Sequence, residues 1–441
     1  MKRGETLAGW GGSPVIAGRE IRSEDLARIT AGQPLTRGLG RSYGDSSLPA
    51  PGDCQVASAV LADRILSFDP DTGTMCAEAG LSLSDLYRLF LPRGWFVPVT
   101  PGTQFVTLGG MVAADVHGGN HHRAGCFGAH VTRLRMRVAD GRILECSRAL
   151  ESDLFRATLG GMGLTGHILE VEFKMAAVPS PWLWGESQQV HSVGEFVDVL
   201  GRAAADWPFT KGWIDCVSRG KNLGRGVMYR ARWATAAEAP ARPPAHKKGF
   251  GVPVNLPSWT INRLTSRIYN GLYFRTHPTR RPAVIHPDAF FYPLDAIRHW
   301  NRLYGKKGFT QYQCVIPHES GQAVLGRFME IVTRQGSASP VCVIKDCGPE
   351  GEGLLSFPKT GISIAIDFPV RAWTQGVVDA LNDLVVAEGG RIYLAKDTFT
   401  RADHFAKMET RLPAWQAVRH RWDPEGRLRS AQSVRLLGDA R

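Results

Sequence analysis

A chain of 441 residues is long enough for two domains or one very large one, and its 43% hydrophobic and 21% charged content excludes a disordered polymer. A formal charge of +12 favours anionic partners, either phosphates, nucleic acid or an acidic membrane surface. The arginines are scattered, and no Lys/Arg block marks a nucleic-acid tail, so no nucleic-acid partner is expected.

From the N-terminus, Met1-Lys-Arg-Gly-Glu-Thr-Leu is basic but lacks the apolar core of a signal peptide. Strands are expected at Gln55–Leu66, Thr74–Glu78, Val131–Val138 and Gly166–Phe173, with a short helix Leu83–Leu91 opened by Ser82 or Ser84. Pro98-Val-Thr-Pro-Gly-Thr is a turn. Pro179–Trp184 breaks the pattern, and an amphipathic helix Gly194–Ala205 and strands Gly212–Asp215 and Arg225–Trp233 follow. Ala236–Pro257, with five prolines around Lys247-Lys248-Gly-Phe-Gly, is a long loop. Trp259–Phe274 repeats apolar residues every three or four positions with Arg263 and Arg267 between them. It reads as a packed helix or as a basic amphipathic segment meeting lipid.

A second antiparallel sheet is expected from Gln311–Ile316, Val341–Lys345 and Gly361–Phe368, around a helix Gln322–Gly336. Val370–Glu388 is helical, and the last helix, near Ala414–Arg421, stops before Asp423-Pro-Glu-Gly. No window approaches about 18 continuous apolar residues, so nothing is expected to span a membrane. Eight cysteines without a CxxC pair read as free thiols of a reducing compartment. The expected placement is cytoplasmic, or peripheral on the inner face of a membrane.

Chemistry concentrates in three glycine-rich loops. Arg37-Gly-Leu-Gly-Arg-Ser-Tyr-Gly-Asp-Ser-Ser matches neither the Rossmann nor the Walker A spacing. It is either a tight hairpin with solvated arginines or a nest of N–H groups for phosphate oxygens, aided by Arg37, Arg41, Ser42 and Ser46. Leu108-Gly-Gly-Met and Leu159-Gly-Gly-Met-Gly-Leu-Thr-Gly add two further close-approach points, as a dinucleotide would need. Between them, Asp115-Val-His-Gly-Gly-Asn-His-His places three of the 13 histidines within six residues. A metal site, a histidine-assisted site and a backbone wrap around a cofactor all fit that stretch. Without an HExxH helix or a cysteine partner, no metal is expected.

These loops resemble the FAD-binding segments of the vanillyl-alcohol oxidase/PCMH superfamily. More closely, the chain resembles the decaprenylphosphoryl-β-D-ribose 2'-oxidase group within it. Tyr312-Gln-Cys-Val-Ile-Pro, Leu355-Ser-Phe-Pro, Ile366-Asp-Phe-Pro, Gly390-Arg-Ile-Tyr-Leu-Ala-Lys-Asp, Arg411-Leu-Pro-Ala-Trp and Asp423-Pro carry the likeness to the C-terminus. The implied fold is α+β, a two-domain PCMH-type architecture whose substrate domain is built on an antiparallel sheet. Residues 1–177 would begin the FAD-binding domain, 178–388 form the substrate domain, and 389–441 return to the FAD-binding domain.

By resemblance, FAD contacts fall on Arg37, Gly38, Gly40, Arg41, Ser42, Tyr43 and Gly44. They continue on Gly109, Gly110, Asp115, Gly118, Asn120 and His121, and on Gly160, Gly163, Thr165 and Gly166. Relatives with covalent flavin often carry a histidine in the first loop; Arg41 stands there, so noncovalent FAD is expected. Lys396, His117 and Tyr393 are the implied catalytic residues, and Tyr43, Gln311, Gln313, Lys345 and Lys396 the implied substrate contacts. Pattern alone would make Lys396 a surface lysine and Gln313 a sheet-face glutamine. Tyr393 and Lys396 share the cavity only if a turn near Ala395 breaks the strand.

Oxidation of a secondary sugar alcohol is implied, most closely the 2'-hydroxyl of a polyprenyl-phosphoribose. The implied partners are an anionic lipid-linked sugar phosphate, a membrane surface and an NAD(P)H-dependent keto-sugar reductase. Two residues depart from the group: Gly119 stands where it has a lysine and Ala365 where it has a cysteine. Another lipid carrier, another pentose, or an aldonolactone or alditol oxidase of the same superfamily stays open. So, more remotely, does a non-enzymatic basic binding protein.

Overall fold

The computed structural model describes residues 5–245, 249–334 and 339–439. Lys247, Lys248, the end of the helix expected at Gln322–Gly336 and the first four residues of the chain lie outside the described residues.

The N-terminal half holds a three-stranded parallel sheet, in the order Arg19–Arg22, Gln55–Ser58, Thr36–Arg37, and a five-stranded antiparallel sheet. The latter runs Ile143–Ser147, Val131–Arg137, His167–Lys174, Thr74–Glu78, Ile65–Asp69. Val131–Arg137 shows why: Val131, Leu134 and Met136 are buried, while Arg133 and Arg135 point outward to pair with Glu172 and Glu170 at 3.1 and 2.5 Å. The single strand expected over Gln55–Leu66 is two strands. A turn between them is closed by Ala62 N–H to the Ala59 carbonyl and braced by Arg64 against Glu78. Ser82 caps the helix Leu83–Phe90, accepting from Asp85 N–H at 3.1 Å; Ser84 is buried within it.

The C-terminal half is built on one eight-stranded antiparallel sheet. Its order is Arg280–Ile285, Leu183–Val190, Gly226–Trp233, Phe209–Ile214, Cys342–Cys347, Gly361–Pro369, Phe309–Pro317, Arg391–Ile392. Helices Val193–Asp206, Gly321–Arg334 and Thr374–Ala387 bury Phe196, Phe328 and Leu381 in the core. Phe196 lies so close to Gly212 and Gly226 that a Cβ on either would meet its ring at 2.3 and 2.5 Å. The opposite side of this sheet faces the N-terminal half, and residues of both line one cavity.

Helix Arg263–Thr276 is inside out. Asn262 caps it, and its buried residues are the polar Ser266 and Asn270, the latter donating to Asp215 at 2.8 Å. Leu264, Ile268 and Leu272 are 60–67% exposed. Trp259, expected inside the helix, precedes it in a turn and is also exposed.

The chain end crosses back. Arg391–Ile392 still pairs with the second sheet, whereas Trp415 donates to the Ala157 carbonyl at 2.9 Å and Arg429 pairs with Asp53 at 2.8 Å. Helix Leu412–Trp422 is not the last: Ser430 opens Ala431–Leu437 with a capping box. From that helix Arg435 pairs with Asp45 at 2.7 Å and Asp397 at 2.9 Å, and Gln432 donates to the Leu394 carbonyl.

Candidate active site

A deep cavity lies between the two halves. From the first come Gly38–Tyr43, Thr100–Thr103, the bare side of helix Leu108–Ala113, His117 and Gly163; from the sheet come Lys211, Gln311, Gln313, Val343, Lys345, Ser363 and Ala365. Tyr393 and Lys396 enter from a turn in which Lys396 N–H reaches the Tyr393 carbonyl at 3.0 Å. That turn puts both side chains on the cavity, where a continued strand would have separated them.

The first glycine loop presents unused donors. The backbone N–H groups of residues 38–42 reach no backbone carbonyl among the described residues. Gly40 sits at φ +63°, and a Cβ on Gly38 would strike the Thr107 hydroxyl at 2.3 Å. The Arg41 guanidinium stacks on Trp10 at 4.0 Å, and its buried Nε has no hydrogen-bond partner among the described residues. Free N–H groups beside an unpaired guanidinium suit a pyrophosphate, and Gly109 and Gly110 leave the adjoining wall bare for a flat ring. The residues present fit FAD.

His117 is buried between Phe357 and Tyr393, with ring centroids at 5.1 and 5.0 Å. Its Nε2 accepts from the Gln313 amide at 2.9 Å, which leaves Nδ1–H as the donor, without a partner among the described residues. Burial, then Lys345, His121 and Lys396, push its pKa well down and keep the ring neutral. Tyr393 donates to the Ala114 carbonyl at 3.0 Å.

Lys396 lies 3.8 Å over the Tyr43 ring. Burial draws its pKa down to about 7, opposed by Asp367 and assisted by Lys345. Asp367 is itself pushed up to about 7 by burial while accepting from Gln311 at 2.6 Å and Tyr304 at 3.2 Å. An ammonium and a carboxyl thus both change charge near neutrality.

Of the residues expected at FAD, Gly38, Gly40, Arg41, Ser42, Tyr43, Gly109, Gly110, Gly163 and Gly166 line the cavity. Others stand behind it, fixing its frame. Arg37 binds Glu20, Ser47 and the Ala8 carbonyl at 2.8–3.1 Å, because its short strand turns the guanidinium away from the cavity. Asp115 holds Gly128 N–H at 2.8 Å and the Ser356 hydroxyl. Asn120 donates to the Pro98 carbonyl, His121 accepts from Gly348 N–H, and Thr165 bonds Thr158. Gly44, Gly118 and Gly160 pack against the backbone of Asp397, Thr100 and Leu355. The implied substrate contacts Tyr43, Gln311, Gln313, Lys345 and Lys396 all line the cavity.

Sequence reasoning passed over Lys211, whose only signal was its place in the alternation Phe209, Lys211, Trp213. It also passed over Asp295 and the apolar Phe290, Phe291, Leu294 and Trp300, all on the cavity wall. His117, His121 and His122 diverge: His122 reaches the Trp207 carbonyl at 2.9 Å, and the His117 and His121 rings lie 6.4 Å apart at nearly right angles. Among the described residues, no group of three or more His, Cys, Asp or Glu is placed to hold a metal ion.

An FAD binding domain model matches residues 26–147. Decaprenylphosphoryl-beta-D-ribose oxidase of Mycolicibacterium smegmatis is 35% identical over 410 residues, 91% of this chain and 88% of that protein. An uncharacterized protein in the mprA 5' region of Streptomyces coelicolor is 31% identical over 370 residues, 81% of this chain and all of that protein. L-gulonolactone oxidase of Mus musculus is 32% identical over 110 residues, 25% of this chain and 24% of that protein. With a cavity suited to the cofactor and a relative similar along nearly its whole length, the chain belongs to the decaprenylphosphoryl-β-D-ribose oxidase family of PCMH-type FAD-binding proteins, and is an FAD-dependent oxidoreductase acting on sugar CH–OH groups.

Proposed function

We propose that this enzyme, holding FAD noncovalently, oxidises the 2'-hydroxyl of a polyprenyl-phosphoribose to a keto sugar, the first half of an epimerisation to the arabinose form. The observation that carries the reading is the mixed lining of one cavity. Lys396, Gln311 and Gln313 offer groups for sugar hydroxyls, and Phe290, Phe291, Leu294, Trp300 and Val341 offer an apolar surface for a hydrocarbon chain. The relative named for a lipid-linked ribose aligns along 91% of the chain, whereas the gulonolactone oxidase aligns along 25%.

FAD supplies the electron-pair acceptor. Lys396 Nζ, poised near neutrality, holds a positive charge against the negative charge developing on the carbinol oxygen. His117 offers Nδ1–H to a bound polar group, and Gln313 fixes that tautomer. Among the described residues lining the cavity, His117 is the only histidine and there is no cysteine, which supports noncovalent FAD.

Two features support peripheral contact with an acidic membrane. Helix Arg263–Thr276 turns its apolar residues outward, and no acidic residue occurs between Glu238 and Asp288, a stretch with eight Lys and Arg. Among the described residues no helix is long and apolar enough to cross a membrane. The keto sugar released would pass to an NAD(P)H-dependent reductase.

Native purification should give flavin absorption bands that leave the protein on acid precipitation. Anaerobic mixing should then bleach the flavin with farnesylphosphoryl-β-D-ribose, and not with ribose, arabinonolactone or xylitol. Bleaching by the lactone or polyol alone overturns the lipid-sugar assignment.

A further inference from the structure

The cavity wall carries two lysines, Lys211 and Lys345, whose charge no acidic side chain answers among the described residues. Strand Phe209–Ile214 pairs antiparallel with Cys342–Cys347 through Gly212↔Ile344 and Trp213↔Val343. Continuing that register by one residue sets Lys211 opposite Lys345, with both side chains on the cavity wall. Like charges at directly opposed positions destabilise a sheet, and two half-buried, desolvated ammonium groups without a counter-ion destabilise it further. Neither lysine has an ion-pair partner among the described residues. Burial and the neighbouring Lys345 pull Lys211 down to about 7, and burial lowers Lys345 as well.

Lys211 is held in place. Its ammonium lies 4.6 Å over the Phe290 ring and gives one N–H to the Phe290 carbonyl. The strand beneath it is tied to the His117 loop by Thr210 N–H to the Gly119 carbonyl at 2.8 Å. The remaining N–H donors of Lys211 have no protein acceptor among the described residues. Lys345 stands between the two ends of this row, coupled electrostatically to Lys211 on one side and to Lys396 on the other.

We propose that Lys211 and Lys345 form a phosphate-binding subsite on the sheet wall, distinct from Lys396 and from the loop suited to the FAD pyrophosphate. A phosphate oxygen on each ammonium would turn a repelling pair into a bridged one. That the phosphate belongs to a lipid-linked sugar rests on the function proposed above; the subsite itself does not. Lys396 and Gln313 are then left for the sugar.

Calorimetric titration of the FAD-loaded enzyme with inorganic pyrophosphate tests the subsite directly. Saturable binding is expected, weakened at least tenfold by Lys211→Met and by Lys345→Met. Lys211→Arg should retain it, and Lys221→Met, an exposed control, should leave it unchanged. Lys211→Met should stay folded and keep its FAD, since it removes a desolvated charge that has no ion-pair partner among the described residues. Absence of saturable binding to the wild type, or wild-type affinity in Lys211→Met, overturns the proposal. In a second arm, Lys211→Met should raise KM for farnesylphosphoryl-β-D-ribose at least tenfold. If the wild type ignores that substrate but the pyrophosphate results hold, the phosphoribose reading fails and the subsite stands. If the wild type oxidises it and Lys211→Met does so with unchanged KM, the subsite fails and the function stands.

Discussion

Gln313 and His117 meet across 196 residues of chain through a 2.9 Å hydrogen bond that fixes which imidazole nitrogen carries the proton. Gln313 spends its other amide N–H on Ser363 at 3.2 Å, so its orientation is set from both sides. Replacing Gln313 with Leu frees the His117 ring to choose either tautomer. The rate of anaerobic flavin reduction should fall about tenfold, equivalent to roughly 1.4 kcal/mol of barrier. Stopped-flow absorbance in the flavin band checks it, and FAD content should be unaltered.

Lys396 and Asp367 should write the pH profile. Lys396 titrates near 7, so it is cationic below that pH and neutral above it, while Asp367 gains negative charge over the same range. Lys345, Gln311 and Tyr304 are the other neighbours that set these values. Both changes oppose an anionic substrate, so kcat/KM should decline as pH rises through about 7. Asp367→Asn removes the charge that supports the ammonium and should move the decline to lower pH. Lys396→Ala should lower flavin reduction at least a hundredfold and leave only the shallower limb of Asp367. A flat profile in the wild type would remove this pair from the chemistry.

Arg41 bears on cofactor affinity. Its guanidinium is clamped on Trp10 with a buried unpartnered Nε, so a phosphate there gains a charge-assisted bond worth about 1.5–3 kcal/mol. Arg41→Ala should weaken FAD binding by about ten- to a hundredfold, read from the recovery of free-flavin fluorescence on dilution.

Asp115 is a structural pin with a measurable sign. Burial holds its proton to about pH 6 against an ordinary 3.8. Its contribution to stability is therefore greatest below 3.8 and declines as pH rises through 6. Asp115→Asn keeps a group able to bond Gly128 and Ser356 and tolerates the φ of +38°; it should lose this pH dependence. Asp115→Ala leaves the Gly128 N–H buried without an acceptor, and should lower Tm by a few degrees at every pH. Differential scanning calorimetry from pH 4 to 8 separates the three proteins.

The outward row on helix Arg263–Thr276 predicts adhesion to acidic bilayers. Full-length enzyme should cosediment with phosphatidylglycerol vesicles and not with phosphatidylcholine vesicles. The triple change Leu264→Ser, Ile268→Ser, Leu272→Ser should abolish this while leaving oxidation of a detergent-dispersed substrate within about twofold, because none of these side chains lines the cavity.

What could be read from the chain followed the range of the forces involved. Val131–Arg137 and Leu83–Phe90 are set by alternation and a cap, signals confined to adjacent residues, and they lie close to where the sequence puts them. The same periodicity misleads at Arg263–Thr276, because a moment gives the direction of an apolar stripe without saying whether core or solvent receives it. The Lys396 turn was anticipated as one of two geometries, and only the hydrogen bond back to Tyr393 chooses between them. Arg37 and Asp115 carry the right chemistry for a ligand but are consumed by protein partners distant in sequence. Lys211 was invisible for the opposite reason: its meaning comes from Lys345, 134 positions away and set beside it by the sheet register.

Arg435 joins Asp45, at the end of the first glycine loop, to Asp397, in the turn that carries Lys396. The junction of cofactor cradle and reacting lysine, made directly by Tyr43 N–H on the Ala395 carbonyl at 2.9 Å, is therefore braced from behind by a residue of a later helix. A polypeptide stopped short of Arg435 would bring every lining residue of the cavity and keep the Tyr43 N–H bond to the Ala395 carbonyl, but would leave Asp45 and Asp397 facing each other without the cation that holds them together.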